Sequence, residues 1–213
     1  MADRPRVVTI GGGFAGLVCA RALCGVDADV AVIDRQNHHM FQPLLYQVAT
    51  ASLSPANISK PIRVTLKGTA DCDTVLAEVR GIDVENRRVE FSRGSASYDY
   101  LVLAAGVTHD YFGNDHWAEF APGLKTLSDA TAMRRRLLLA FESAEHEGDE
   151  ASKRAALTFA IVGAGPTGVE LSGAIKEIAS RTLPSEYRNV DTSTTRVILF
   201  EGGRGCCRGS RNG

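Results

Sequence analysis

The sequence predicts an alternating α/β fold made of two similar units, and three observations carry that prediction. A β-branched run, Arg6 to Ile10 (RVVTI), stops at Gly11-Gly12-Gly13 and gives way to apolar residues at helical spacing. The pattern returns 152 residues further on, where Leu157 to Val162 (LTFAIV) stops at Gly163 and a second helix-type stretch follows. Glycine is in excess, 21 of 213 residues, against a usual share of about 7%, and the excess gathers at these turns.

The elements follow in order. Phe14 to Cys24 reads as a helix stopped by Gly25, and Asp29 to Ile33 (DVAVI) as a buried strand ending at Asp34. From Gln36 to Lys67, with Pro43, Pro55 and Pro61, loops are expected with one short helix. Thr74 to Val84, Arg88 to Ser92 and Tyr98 to Ala104 read as strands separated by turns at Glu85-Asn86-Arg87 and Arg93-Gly94-Ser95. They suggest a small antiparallel layer inserted into the first unit. Ser128 to Glu147 is expected as one helix with Ser128 at its N-cap, Met133, Leu137, Phe141 and Ala144 along one face, and Arg134-Arg135-Arg136 on a solvated flank. Gly148-Asp149-Glu150 reads as a linker. In the second unit Val169 to Arg181 is a helix, the polar stretch Leu183 to Thr195 an insertion, and Arg196 to Phe200 (RVILF) a strand ending at Glu201.

Composition narrows the function classes. With 24 basic and 25 acidic side chains the formal charge is −1, so no polyanion is attracted and no nucleic-acid partner is expected. No apolar stretch reaches the ~18 residues of a membrane span, and the N-terminus runs from a short charged lead directly into the glycine turn. Of the five cysteines, Cys19, Cys24, Cys72, Cys206 and Cys207, none forms C-x-x-C or an even framework, which points to a reducing, cytoplasmic compartment. Cys19 and Cys24 read as buried hydrophobes.

A glycine turn between strand and helix has a known chemistry. The first glycine permits the tight turn, the second lets backbone approach a pyrophosphate, and the third allows the helix to pack on the strand. The helix N-terminus then offers free N–H groups and partial positive charge to phosphate. Gly11, Gly13 and Gly16 fit these roles, and so do Gly163, Gly165 and Gly168. One such motif is a weak signal, whereas two, each followed by a strand with a terminal acid, make two Rossmann-like dinucleotide-binding units the expected fold. Asp34 lies 18 residues after Gly16 and Glu201 lies 33 after Gly168. A carboxylate there accepts ribose hydroxyls and repels a 2′-phosphate, favouring NADH over NADPH. Two dinucleotide sites suggest a held flavin that takes hydride from an exchanging nicotinamide.

The residues resemble the two-dinucleotide flavoprotein reductases, specifically the type II NADH dehydrogenases, which are non-proton-pumping NADH:quinone oxidoreductases. Four segments carry the likeness: VVTIGGGFAGL (8–18), NHHMFQPLLYQVATASLSP (37–55), YDYLVLAAGVTHDYFG (98–113) and FAIVGAGPTGVELSGAI (159–175). The resemblance implies that Gly11, Gly13, Gly16 and Asp34 hold the ADP half of FAD, that Val79 contacts adenine through its backbone, and that Ala105 and Gly106 form the small-residue turn beside the flavin. It places Gln42, Pro43, Leu44 and Thr50 near the isoalloxazine, gives Gly163, Gly165, Gly168 and Glu201 to NADH, and sets Glu170, as the catalytic-site acid, near the nicotinamide. Each has an alternative: Glu170 as a first-turn acid favoured by the helix dipole, His38-His39 as loop histidines or a metal pair, Tyr46 and Phe41 as core rings or stacking partners. The absence of C-x-x-C argues against the dithiol reductases of the same superfamily.

The implied organisation is an FAD-binding domain at 1–150 without its returning segment, the start of an NADH-binding domain at 151–201, truncated, and an aberrant tail at 202–213. That tail, GGRGCCRGSRNG, has five glycines, three arginines, two cysteines and no aliphatic or aromatic side chain. It reads as a frameshift, because the tail can be back-translated, with mostly G- or C-ending codons chosen, so that a shifted frame gives Arg-Val-Leu-Pro-Gly-Phe-Pro-Glu, which resembles the family's continuation. The expectation is therefore an impaired or inactive fragment of a quinone reductase whose family pairs into homodimers and sits peripherally on the cytoplasmic membrane face. A ferredoxin or nitrite reductase component, or a non-catalytic nucleotide-binding fragment, are the alternatives.

Overall fold

The computed structural model describes residues 4–23, 25–68 and 72–202. Cys24, the tail from 203 onward with Cys206 and Cys207, and the expected frameshift lie outside the described residues. The chain runs β1 (Arg6–Ile10), α1 (Phe14–Ala22), β2 (Asp29–Asp34), β3 (His38–Met40), a 3-10 turn (Gln42–Leu44), α2 (Leu45–Ala49), α3 (Pro55–Ile58), β4 (Ser59–Pro61), α4 (Ile62–Thr65), β5 (Cys72–Leu76), β6 (Val79–Asp83), β7 (Arg88–Phe91), β8 (Gly94–Ser97) and β9 (Tyr100–Leu103). After a 3-10 turn at Asp115–Glu119 come α5 (Leu127–His146), α6 (Glu150–Ala156), β10 (Thr158–Val162), α7 (Pro166–Glu177) and β11 (Arg196–Phe200).

Two compact units form, 1–41 with 59–108 and 42–58 with 109–213. The first holds a four-stranded parallel sheet in the order β5-β2-β1-β9. Successive β1 side chains point to opposite faces, so Val7 joins Leu17, Ala20, Val30, Val32, Ile62 and Leu66 on one side, and Val8 and Ile10 join Ile33, Ala77, Val89 and Tyr98 on the other. Helix α1 covers the first face and the antiparallel layer β6-β7-β8 covers the second. Both faces being covered explains why β1 and β2 read as unbroken apolar runs.

Several expectations are corrected here. The single strand expected from Thr74 to Val84 is two: β5 joins the parallel sheet, and the chain breaks at Ala77-Glu78 before β6 opens the antiparallel layer. The break is fixed by Ala77 N–H on the Asp34 carbonyl (2.9 Å) and Ser92 N–H on the Glu78 carbonyl (2.9 Å). The turn expected over Arg93-Gly94-Ser95 shortens to Ser92-Arg93, since Phe91 pairs with Gly94 and β8 follows. Strand β9 pairs in parallel with β1 rather than entering the antiparallel layer. The irregular stretch before residue 67 contains the β3-β4 pair and three short helices.

In the second unit α5 is capped by Thr126, not Ser128: the Asp129 amide donates to Thr126 Oγ1 (3.2 Å) and the Thr126 amide to Asp129 Oδ2 (2.8 Å). Leu137, Phe141 and Ala144 are buried as the spacing predicts, Met133 is half-buried, and Arg135 and Arg136 are exposed. The linker expected at 148–150 is a helix start, because Asp149 accepts from the amides of Ala151 (3.0 Å) and Ser152 (2.9 Å) and so caps α6. Phe141 of α5 meets Phe159 of β10 with ring centroids 5.7 Å apart, and Glu145 accepts from the Asn189 amide. Strands β10 and β11 pair in parallel. The insertion after Leu183 folds back onto α7: Thr192 Oγ1 donates to the Ala179 carbonyl (2.8 Å) and Lys176 Nζ to the Ser193 and Thr195 carbonyls.

Two measurements check this packing. The Thr9 hydroxyl is fully buried with no partner among the described residues, so Thr9→Val is expected to leave thermal stability unchanged or raise it by about 1 kcal/mol. Burial, with the Glu142 carboxylate accepting its proton second, pushes the Tyr187 hydroxyl up to about 12. A raised folded value makes this contribution complete below the unfolded value near 10.0 and lost as pH climbs through about 12. Tyrosinate absorbance should show one phenol titrating late, and Tyr187→Phe should abolish that step.

Candidate functional site

The two glycine turns are built alike. Gly11 and Gly163 sit at φ 105° and 98°, a region that disfavours side chains, and their amides donate to carbonyls near the ends of the neighbouring strands, Ile33 O and Phe200 O, both at 2.8 Å. A Cβ on Gly16 would run into the Gly11 carbonyl, and one on Gly168 into the Gly163 carbonyl. These positions exclude side chains for reasons internal to the protein. Gly13 and Gly165 differ: a Cβ there would meet nothing within 4 Å. The space is open at the position where a phosphate would approach the backbone, and α1 and α7 begin directly behind it, with Leu17 N–H on Gly13 O and Val169 N–H on Gly165 O (both 3.1 Å). The cradle therefore fits the diphosphate of a dinucleotide.

Each strand-end acid grips its own turn. Asp34 Oδ2 accepts from the Gly12 amide (2.5 Å) and Oδ1 from the Gln36 amide (2.7 Å). Glu201 Oε2 accepts from the Ala164 amide (2.8 Å). Gly12 and Ala164, the residues between the first and second glycines, were not singled out by the sequence motif, although they are what ties turn to acid. A Cβ on Gly12 would collide with the Ile62 side chain.

Around the first turn, Ala105 and exposed Gly106 (φ 72°) follow β9, and a Cβ on Gly11 would strike the Ala104 carbonyl, so the two loops abut. Gly11, Gly13, Gly16, Asp34, Ala105 and Gly106 thus gather at the carboxyl edge of the parallel sheet, the side on which such sheets bind ligands. A cavity of about 380 Å³ opens beside them, lined by Arg35, Gln36, Leu76, Ala77, Glu78, Ser92 and Arg93. Val79 is not in that lining; it is half-buried, packed with the antiparallel-side core, and next in sequence to Glu78. Arg35 and Arg93 escape sequence reading because only the fold brings them together.

The two histidines diverge. His39 Nδ1 lies 3.2 Å from the Gly12 carbonyl with its ring edge-on to Phe14, which in turn meets Phe41 edge-on, while His38 Nδ1 pairs with Asn37 Oδ1 (3.1 Å). No group of three His, Cys, Asp or Glu suited to a metal occurs among the described residues. Phe41 is 44% exposed and so is not a core ring. Cys19, expected buried, is half-buried, because it faces away from the Leu17 and Ala20 side of α1.

In the second unit Gln42, Pro43 and Leu44 form the 3-10 turn leading into α2. Thr50 is fully buried at the end of that helix and donates its hydroxyl back to the Tyr46 carbonyl (3.0 Å). A cavity of about 710 Å³ is lined by Tyr46, Gln47, Thr50, Ala51, Glu170 and Glu177 among others, so Thr50 and Glu170 share one hollow that Gln42, Pro43 and Leu44 do not line. Glu170 stands beyond the first turn of α7, which holds no acid, so the helix-dipole explanation does not account for it. Ala51, at φ 64°, holds strained backbone at the rim.

The profile of the pyridine nucleotide-disulphide oxidoreductase family matches residues 5–209. The chain is 46% identical over 202 residues to the type II NADH:quinone oxidoreductase Ndh of Mycobacterium tuberculosis, covering 93% of this chain and 44% of that protein. It is 31% identical to the internal alternative NAD(P)H-ubiquinone oxidoreductase A1 of Arabidopsis thaliana mitochondria, covering 93% of this chain and 42% of that protein. Among solved structures, NDH2 from Plasmodium falciparum in complex with NADH superposes with a TM-score of 0.87 at 22% identity, covering 96% of this chain and 43% of that one, which supports the fold. The chain spans less than half the length of these relatives. With its two acid-backed glycine turns and a profile match over most of its length, the chain belongs to the pyridine nucleotide-disulphide oxidoreductase family.

Proposed function

We propose that this chain supplies the dinucleotide cradles of an FAD-dependent NADH:quinone oxidoreductase, the first turn holding FAD and the second NADH. One observation carries the reading: the same turn is built twice, each with an open second glycine and an acid bonded to the amide beside it. Bound FAD would accept hydride from NADH and pass electrons to a quinone. The protein's own groups bind and orient. Backbone amides at the α1 and α7 starts meet the diphosphates, Asp34 and Glu201 face the riboses, and Ala105-Gly106 leave room beside the first turn. Glu170, with Thr50, stands in the hollow assigned to the nicotinamide end, and Gln42, Pro43, Leu44 and Val79 are assigned flavin contacts. Residues 1–150 are assigned to the flavin side and 151–201 to the start of the NADH side.

The acceptor assignment is supported by the names of the relatives, which are quinone oxidoreductases. Pairing of two copies and a seat on the cytoplasmic face of a membrane belong to the same proposal and rest on the family resemblance. No helix among the described residues is long and apolar enough to cross a membrane.

The open glycines give the test. Gly13 (φ −78°, ψ −164°) and Gly165 (φ −67°, ψ 175°) have backbone angles that alanine adopts freely, so G13A and G165A should unfold at the parent's temperature. G13A should weaken FAD binding about tenfold or more, because the new methyl occupies ligand space and one such factor is about 1.4 kcal/mol. G165A should weaken NADH binding and spare FAD. Gly16→Ala, by contrast, should cost about 1–3 kcal/mol of fold stability by overpacking. Unchanged affinities in G13A and G165A, or reduction of ferredoxin and not quinone by the intact protein, would contradict the reading.

A further inference from the structure

Gly12 is held from both sides. Its amide donates to Asp34 Oδ2, and its carbonyl lies 3.2 Å from His39 Nδ1. His39 reaches it from the middle of β3, where pairing with Lys60 of β4 fixes the backbone, and its ring stands edge-on to Phe14 at 5.0 Å, the residue that opens α1. A carbonyl oxygen only accepts, so the proton of this contact sits on His39 Nδ1. The peptide joining Gly12 to Gly13 is planar and trans, which sets the Gly13 N–H opposite the Gly12 C=O. Fixing the carbonyl therefore aims the Gly13 N–H, and Gly13 is the exposed position with nothing within 4 Å of a Cβ.

Among the described residues the second turn shows no such contact. Ala164 has its amide on Glu201, but among the described residues no side chain donates to its carbonyl. We propose that His39 is a positioning residue for the first turn: its Nδ1–H locks the Gly12–Gly13 peptide so that the Gly13 N–H is aimed at the diphosphate of the dinucleotide before it arrives. The inference rests on the flavin assignment above for the identity of that dinucleotide. A pre-aimed donor loses less freedom on binding.

The test compares two substitutions in the full chain. His39→Asn places an amide donor close to where Nδ1 stood, and His39→Phe keeps a ring edge against Phe14 without the donor. In the ligand-free chain, H39F should loosen the turn and so speed hydrogen exchange at the neighbouring Gly12 amide, which Asp34 protects, while H39N stays at the parent's rate. With FAD as the probe, H39F should raise Kd about five- to tenfold, the range of one lost hydrogen bond, with H39N within about twofold of the parent. NADH affinity should be unmoved in both. Should H39F fail to fold, imidazole nitrogen shifts of the parent chain decide the matter: a proton on Nδ1 of His39 is expected, and a proton on Nε2 alone overturns the proposal. Equal exchange and equal FAD affinity in H39F and the parent, or equal losses in H39F and H39N, also overturn it. If the parent takes up no FAD, the flavin assignment falls, while exchange and tautomer still decide whether the peptide is locked.

Discussion

The hydrogen bond between a strand-end carboxylate and the amide of the next turn is the constraint on which both cradles depend. It joins residues 22 apart in the first unit and 37 apart in the second. It exists only if the two strands run in parallel and in register, with Ile10 opposite Ile33 and Val162 opposite Phe200. A slip of one residue would turn the acid to the other face and leave the turn amide unpaired. Sheet register, turn conformation and the direction of the open amide are in this way a single arrangement. The acid organises the turn, so its removal disturbs the conformation of the cradle.

The two copies share this bond but not its surroundings. Asp34 also accepts from Gln36, and His39 and Ile62 close in on Gly12 from the other side, so the first turn is braced by β3 and α4. The second turn stands at the end of a two-stranded sheet whose Val162 and Phe200 are 71% and 52% exposed.

What the sequence made legible follows from local rules. Apolar periodicity located β1, β2, β10, β11 and the long helix, and steric rules for glycine located the turns, because each acts within a few residues. The strand break at Ala77-Glu78 was not legible, since it is set by the partners that Asp34 and Ser92 bring from elsewhere. Choosing between Thr126 and Ser128 as cap required the position of Asp129, and Asp149 was hidden as a cap by lying next to Gly148 in a stretch with linker composition. Of the site, the glycines and acids could be read, whereas Gly12, Ala164, Arg35, Arg93 and the role of His39 depend on tertiary neighbours. The family motif pointed to the segment containing His39 without giving its contact. The shared hollow of Thr50 and Glu170 likewise needed the fold, since 120 residues of sequence separate them.

The central claim is that the chain carries two separate dinucleotide cradles, and binding stoichiometry addresses it most directly. Calorimetric titration of the chain with FAD, with NADH, and with each after saturation by the other should give one FAD and one NADH per chain, the second binding undiminished by the first. Displacement of one by the other, or a combined total of a single dinucleotide per chain, would contradict the account.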